Sequence, residues 1–187
     1  SNNDSWGYCY SDYSEIDLME MALVTHLSNK SFDVLWESIK NLENKSVLLH
    51  LRTATSGKEK NIGKQPIVIK KGVLDVKHIS FFLNGNLKDY FGKDEPDTVL
   101  YAREYLDKLP VNFLENKEIM KKITEDAKIN GAKMAFMDSN GKVYLINEEA
   151  GIWEKGMWFS NPRLGSYAGF GFSGIYPYKN GEKRYNL

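Results

Sequence analysis

Residues 132–147 read AKMAFMDSNGKVYLIN, so two apolar runs flank a short polar segment. That segment contains Asn140-Gly141, and an Asn-Gly pair between apolar runs is the strongest local sign of a β-hairpin, because both residues accept the left-handed backbone of a tight turn. The pattern predicts antiparallel strands at 132–138 and 142–147. Gly131, directly before the first strand, is typical of a residue that ends a helix, and we predict that helix at 117–130.

Similar patterns occur along the rest of the chain. They predict strands at 3–10, 19–26, 46–53, 65–70, 73–76, 78–83 and 156–160, and helices at 31–44 and 94–109. The first two strands are expected to pair, and those at 65–70 and 73–76 to form a hairpin around Lys71-Gly72. Strands, then paired helices, then strands again imply an α+β layered domain with mostly antiparallel sheets. Residues 165–187 are a tail rich in Gly and Tyr, which leaves an ordered cover and a flexible arm as alternatives.

Length and charge limit the class of protein. The 187 residues fit one domain with a proper core. Lys plus Arg and Asp plus Glu each number 25, so no net field draws the chain to nucleic acid or to an anionic membrane. We expect no signal peptide, and the sequence has no run of about twenty apolar residues; its single cysteine, Cys9, cannot form an internal disulfide. We expect a soluble cytoplasmic protein whose partners include neither nucleic acid nor membrane.

Four short segments combine polar or charged residues with a glycine or a proline. The segment at 50–57, His-Leu-Arg-Thr-Ala-Thr-Ser-Gly, sets one guanidinium beside hydroxyls and a glycine at the end of an apolar strand. Such an arginine is suited to holding a carboxylate, because its planar fork matches the two oxygens. The other segments are Asn2-Asn3-Asp4-Ser5-Trp6-Gly7, Phe82-Leu83-Asn84-Gly85 and Pro96-Asp97-Thr98.

Together these segments resemble the class II glutamine amidotransferases, in particular the small stand-alone members found in bacteriophages. The family has His-x-Arg-x-Ala-Thr-His-Gly, His-Asn-Gly and Ser-Asp-Thr at the corresponding places. The resemblance implies a single domain over 1–187 with the four-layer αββα sandwich of N-terminal-nucleophile hydrolases, two mainly antiparallel sheets flanked by helices. Three positions depart from the family pattern, because Ser56, Gln65 and Leu83 stand where histidine is usual.

The resemblance also implies roles for individual residues. Free glutamine has a carboxylate, an ammonium group and a side-chain amide, which would be held by Arg52 with Thr55, by Asp97, and by an oxyanion hole, respectively. The oxyanion hole would consist of the side-chain amide of Asn84 and the backbone N–H of Gly85. Each residue also has a simpler interpretation: Arg52 in a structural ion pair, Asp97 as a charge in the first helical turn, Asn84-Gly85 as a turn, and Thr55 bonded to nearby backbone.

The family nucleophile is an N-terminal cysteine a few dozen residues before the Asn-Asn-Asp-Ser-Trp-Gly motif, and this chain begins at Ser1, almost on that motif. Cys9 lies inside a predicted strand and is expected to be a small core residue. Ser1 lies too close to the motif to supply the preceding strand. No metal or cofactor is expected, because the sequence has neither a Cys-His cluster nor a phosphate-binding glycine loop.

Two functions therefore remain as alternatives. The first is a glutamine amidohydrolase that binds glutamine or glutamate and passes ammonia to a partner synthetase, or acts alone as a glutaminase. Its nucleophile strand would come from a longer chain or from a separate peptide. The second is a non-catalytic pseudoenzyme that serves as a binding or assembly module for another protein, in a phage context.

Overall fold

The structure is a computed structural model that describes residues 5–13, 21–28, 32–42, 45–52, 64–69, 79–91, 94–154, 156–161, 178–179 and 182–183. Its strands are β1 Ser5–Tyr13, β2 Met21–Ser28, β3 Val47–Arg52, β4 Ile67–Ile69, β5 Ile79–Asn84, β6 Lys133–Met137, β7 Val143–Ile146, β8 Ile152–Glu154, β9 Met157–Phe159, β10 Tyr178–Lys179 and β11 Glu182–Lys183. Its α-helices are α1 Phe32–Ile39, α2 Asp97–Glu104 and α3 Lys117–Ile129, with 3-10 turns at Leu106–Lys108, Phe113–Glu115 and Glu148–Ala150. The predicted α+β class with antiparallel sheets is confirmed.

The first sheet has the strand order β2-β1-β3, with both neighbours antiparallel to β1. The predicted pairing of the two N-terminal strands is thus confirmed. Alternate residues of β1 point to the same side, and Trp6 and Tyr8 share an apolar cluster with Leu35 and Ile39 of α1. The first sheet is therefore covered on this side by the apolar stripe of α1.

The second sheet has the order β4-β5-β6-β7, and all its neighbouring strands are antiparallel. The predicted Asn-Gly hairpin is confirmed, since β6 and β7 pair from Met134↔Ile146 to Met137↔Val143 and Gly141 has a φ of 75°. One face of this sheet packs against helical residues, with Phe81 stacked on Phe136 at a centroid distance of 5.0 Å. The helical residues buried in the same cluster are Tyr101, Ala102, Leu106, Phe113, Leu114, Ile123 and Ala127.

A third apolar cluster combines residues of both sheets. Cys9 of β1 is fully buried with Phe82 of β5 and Met137 of β6, and the Cys9 and Met137 sulfur atoms lie 3.8 Å apart. Next to this cluster, the His50 ring of β3 lies 6.4 Å from the Phe82 ring. The face of β5 that carries Phe82 therefore contacts the first sheet.

Several local predictions need correction. The helix predicted at 94–109 is shorter: α2 starts at Asp97, after Pro96, and ends at Glu104, with Tyr105 between it and the 3-10 turn. Leu49, Leu51 and Trp36 are at least 40% exposed, so the elements predicted at 46–53 and 31–44 carry large apolar side chains outside the core. Strand β8 was missed because three residues are too few for a recognisable period, and it pairs with β9.

Other predictions fall outside the described residues. These are the hairpin around Lys71-Gly72 and most of the tail at 165–187, of which β10 and β11 are described and pair. Helix α3 ends as predicted, with Gly131 at a φ of 62°. Within the described ranges, no helix combines the length and the apolar character needed to cross a bilayer.

Candidate functional site

Asn84 and Gly85 lie where β5 ends and the chain turns towards α2. Asn84 is the last paired residue of the strand, opposite Lys133 of β6. Gly85 has a φ of 118°, and a Cβ atom there would lie 2.9 Å from the Cα of Ala132. No residue with a side chain fits this combination without a shift of the backbone, so glycine is required for the close approach to the start of β6.

The side chain of Asn84 is held by a residue that is distant in sequence. Its Nδ2 donates a hydrogen bond to the Oγ of Ser160 at 2.6 Å, and both residues are half-buried. A primary amide nitrogen carries two N–H groups, so this bond uses one of two donors. The predicted oxyanion donor is thereby fixed in orientation and retains a second N–H.

Asp97, predicted to bind the ammonium group, is the first residue of α2 and is only 5% exposed. Its Oδ2 accepts the backbone N–H of Leu87 at 2.8 Å, and its Oδ1 accepts the backbone N–H of Thr98 at 2.8 Å. The bond to Leu87 ties the start of α2 to the loop that follows Gly85. Two predicted site segments, 84–85 and 97–98, are thus linked through Leu87.

Gln65 adds a further contact at the end of β5, on the side of the strand that faces β4. Its Nε2 donates to the Leu83 carbonyl at 3.0 Å, and its Oε1 accepts the Leu83 N–H at 2.6 Å. Because β4 pairs with β5 up to Ile67↔Phe81, the same register continued by two residues would place Gln65 opposite Leu83. The Gln65 side chain thus supplies both hydrogen bonds that a neighbouring strand would make at this point. It also approaches the Thr98 Oγ1 at 3.4 Å, next to Asp97.

The structure describes less of the other two predicted residues, Arg52 and Thr55. Arg52 is the last residue of β3 and pairs with Ser5 through the backbone, and only its backbone is described. Thr55 lies outside the described residues. Of the predicted residues, Asn84 and Gly85 are adjacent at the end of β5, and Asp97 is linked through Leu87 to the loop that follows them.

Cys9 has the properties of the core residue that was predicted. Burial raises the pKa of its thiol from 9.0 to about 12, and the hydrogen bonds with Ser80 and Leu48 lower the pKa by less. A thiol is nucleophilic only as the thiolate, which the folded protein does not populate near neutral pH.

We therefore expect Cys9 to resist alkylation in the folded protein. Because the folded pKa is raised, Cys9 stabilises the fold below pH 9.0, and this contribution falls as the pH rises above it. Iodoacetamide at about pH 8.5 should leave the native mass unchanged and add one label after unfolding in urea. Rapid labelling of the native protein would contradict the buried placement of Cys9.

No known protein family matches the chain, and no curated protein sequence matches it significantly. Among the described residues, no cluster of three or more His, Cys, Asp or Glu side chains could hold a metal ion.

Two contributors to the site were missed by sequence reasoning. Gln65 was noted as a departure from histidine and as the start of a predicted strand, although the following Pro66 has no N–H and cannot continue a strand ladder. That proline was a usable signal that the backbone of Leu83 needs another partner. Ser160 was predicted at the end of the strand at 156–160, and the sequence did not indicate its contact with a residue 76 positions away.

Proposed function

We propose that this chain is a class II glutamine amidotransferase-like domain whose pocket binds glutamine or glutamate at the end of β5. The ammonium group of the ligand contacts Asp97, the side-chain carbonyl contacts Asn84 and Gly85, and the carboxylate contacts Arg52 with Thr55. Hydrolysis of the side-chain amide would additionally require an N-terminal cysteine, supplied by a preceding segment or a separate peptide.

The buried carboxylate of Asp97 is the observation that carries this proposal. Within the described residues, no lysine or arginine forms an ion pair with it. A buried carboxylate is costly unless it is paired or hydrogen-bonded. Its two backbone N–H bonds and a longer bond from the Thr98 hydroxyl at 3.4 Å offset part of that cost, and its oxygens have about four acceptor positions in total. The position that remains suits a ligand ammonium group at the edge of the same loop.

The packing of the two sheets supports both the four-layer αββα arrangement and the place of Arg52. Helix α1 covers the outer side of the first sheet, the shared cluster lies between the sheets, and α2 and α3 cover the second. Cys9, opposite Leu48, contacts Ser80, and His50 contacts Phe82. Two residues further along each strand, His50 is followed by Arg52 on β3 and Phe82 is followed by Asn84 on β5. Because the two strands run the same way from these contacts, Arg52 and Asn84 lie towards the same end of the pocket.

A second candidate is the non-catalytic binding or assembly module. It is favoured by the bonds of Asp97 to two backbone N–H groups, which stabilise a carboxylate at the start of a helix without any ligand. The burial of Cys9 also excludes the only cysteine of this chain as the nucleophile. The two candidates differ in whether the pocket binds an amino acid.

Asp97→Asn is expected to separate the two candidates. The substitution keeps the size of the side chain but removes the charge, so binding of glutamine should weaken by roughly tenfold or more. Binding of 4-carbamoylbutanoate, which is glutamine without its ammonium group, should change far less. Isothermal titration of both ligands, at a temperature where melting curves show both proteins folded, measures the difference.

Asp33→Asn is the matched control, because Asp33 is also an aspartate in the first turn of a helix but is exposed. It should leave both affinities unchanged. Equal weakening of both ligands by Asp97→Asn would assign Asp97 a structural role only, and absence of binding to the unsubstituted protein would favour the non-catalytic module.

A further inference from the structure

The hydrogen bond between Asn84 and Ser160 joins β5 to a segment that lies outside both the first and the second sheet. Ser160 follows β9, which pairs with β8 from Ile152↔Phe159 to Glu154↔Met157. The contacts of this small hairpin with the turn at Glu148–Ala150 hold Ser160 in one place.

Both tryptophans of the hairpin are anchored to Glu148. The Trp153 Nε1 donates to the Glu148 carboxylate at 2.7 Å, and the Trp158 Nε1 donates to the Glu148 carbonyl at 3.1 Å. At Gly151, a Cβ atom would lie 2.6 Å from both the Phe159 carbonyl oxygen and the Trp158 ring. The hairpin is therefore packed closely against Gly151, the residue that precedes it.

The same segment is tied back to β6. Asn147, which precedes Glu148 and has a φ of 57°, donates through its Nδ2 to the Ala132 carbonyl at 2.8 Å. Ala132 precedes Lys133, which pairs with Asn84. Contacts therefore link Asn84 to β6, β6 to Asn147, and the segment after Asn147 to the hairpin. The bond from Asn84 to Ser160 completes this ring of contacts.

We propose that Ser160 is a positioning residue for the ligand-binding amide of Asn84, an inference that rests on the proposed function. The Ser160 Oγ accepts one N–H of the amide and fixes the plane of the side chain. The second N–H is then held in a constant direction, towards the side-chain carbonyl oxygen of bound glutamine. Preorganised donors of this kind bind more tightly than rotating ones because no ordering is required when the ligand arrives.

Ser160→Ala is the test, with two ligands that differ only in the group that Asn84 would contact. Glutamine has the side-chain amide, and 2-aminopentanoate has a methyl group in its place. Ser160→Ala should weaken glutamine about tenfold and leave 2-aminopentanoate unchanged, because only glutamine uses the oriented N–H. Ser160→Thr, which keeps the hydroxyl, should restore the preference for glutamine. Ser38→Ala removes an exposed hydroxyl bonded to its own helix and should affect neither ligand.

Nuclear magnetic resonance of the Asn84 side-chain amide provides a readout that needs no ligand. Asn84→Asp identifies the pair of N–H signals by their loss, and in the unsubstituted protein one of the two should be shifted and protected from exchange. Ser160→Ala should abolish this protection while the melting temperature changes little.

Equal weakening of both ligands by Ser160→Ala, or an unprotected amide in the unsubstituted protein, would overturn the positioning role while leaving the proposed function intact. If the unsubstituted protein binds neither ligand although the amide is protected, the contact is real and the proposed function itself has failed.

Discussion

Replacing Gln65 by alanine is expected to lower the free energy of unfolding by about 3–5 kcal/mol, because it leaves two buried backbone groups without partners. Leu83 is 3% exposed, and both its N–H and its C=O are bonded to the Gln65 amide. Leaving one buried donor or acceptor unpaired typically costs about 1–3 kcal/mol. Urea unfolding followed by circular dichroism measures the change.

Gln65→Glu tests the same hydrogen bonds with little change of volume. The carboxylate keeps an acceptor for the Leu83 N–H but places a second oxygen against the Leu83 carbonyl, so the variant should also be destabilised at neutral pH. This environment favours the protonated carboxyl and raises its pKa above the usual value of about 4.3. Since the protonated form can donate to the carbonyl, part of the lost stability should return as the pH falls through this raised pKa.

Asn112→Ala is the matched control, because Asn112 carries an exposed amide and makes no capping hydrogen bond with its side chain. It should change the free energy of unfolding by no more than about 0.5 kcal/mol. A similarly small effect of Gln65→Ala would mean that the edge of β5 is satisfied in another way, and would contradict the role given to Gln65.

The sequence predicted those elements whose local signals agree with their tertiary surroundings. The hairpin of β6 and β7 was predictable because Asn140-Gly141 favours the turn and both strands are apolar. The end of α3 was predictable because Gly131 accepts a positive φ. Strand β5 was also recognised, since its residues are buried on both faces and form a continuous apolar run.

Features that depend on contacts between distant segments were not predictable. Leu49 and Leu51 are exposed because α1 covers only part of the first sheet. The spacing of apolar residues in the sequence does not show how much of a sheet a helix covers. In the candidate site, Asn84, Gly85 and Asp97 were named from the resemblance. The bond from Leu87 to Asp97, the pairing of Gln65 with Leu83, and the bond from Asn84 to Ser160 arise only in the folded chain.

Under the proposed function, these contacts would let one backbone loop serve both stability and binding. Residues 84–87 are held by Ser160 on one side and by Asp97 on the other, and Gln65 holds the strand that leads into them. A loop fixed at both ends presents its N–H groups in constant directions, which is the property an oxyanion hole requires. The same constraint means that substitutions of Gln65 should reduce binding as well as stability.

Arg52→Ala is expected to abolish measurable binding of glutamine and glutamate, whereas Lys58→Ala should leave the affinity nearly unchanged. The guanidinium of Arg52 would make two parallel charge-assisted bonds to the ligand carboxylate. Stranding a desolvated carboxylate without its charged partner typically costs about 2–5 kcal/mol, which exceeds what a weakly held amino acid can lose and still be detected. A single charge pair outside a specific site contributes about 0–1 kcal/mol.

Isothermal titration of the two variants and of the unsubstituted protein against both amino acids decides the matter. The pair is informative because both substitutions remove one positive charge, so a long-range field would weaken binding equally in the two variants. Equal losses would therefore indicate a diffuse electrostatic surface in place of a specific carboxylate site. Arg52→Lys adds a finer distinction, since it retains the charge and loses the planar fork, and it should bind more weakly than the unsubstituted protein if two parallel bonds are made. Full binding by Arg52→Lys would reduce the role of residue 52 to charge alone and would remove the geometric basis for selecting an amino acid carboxylate.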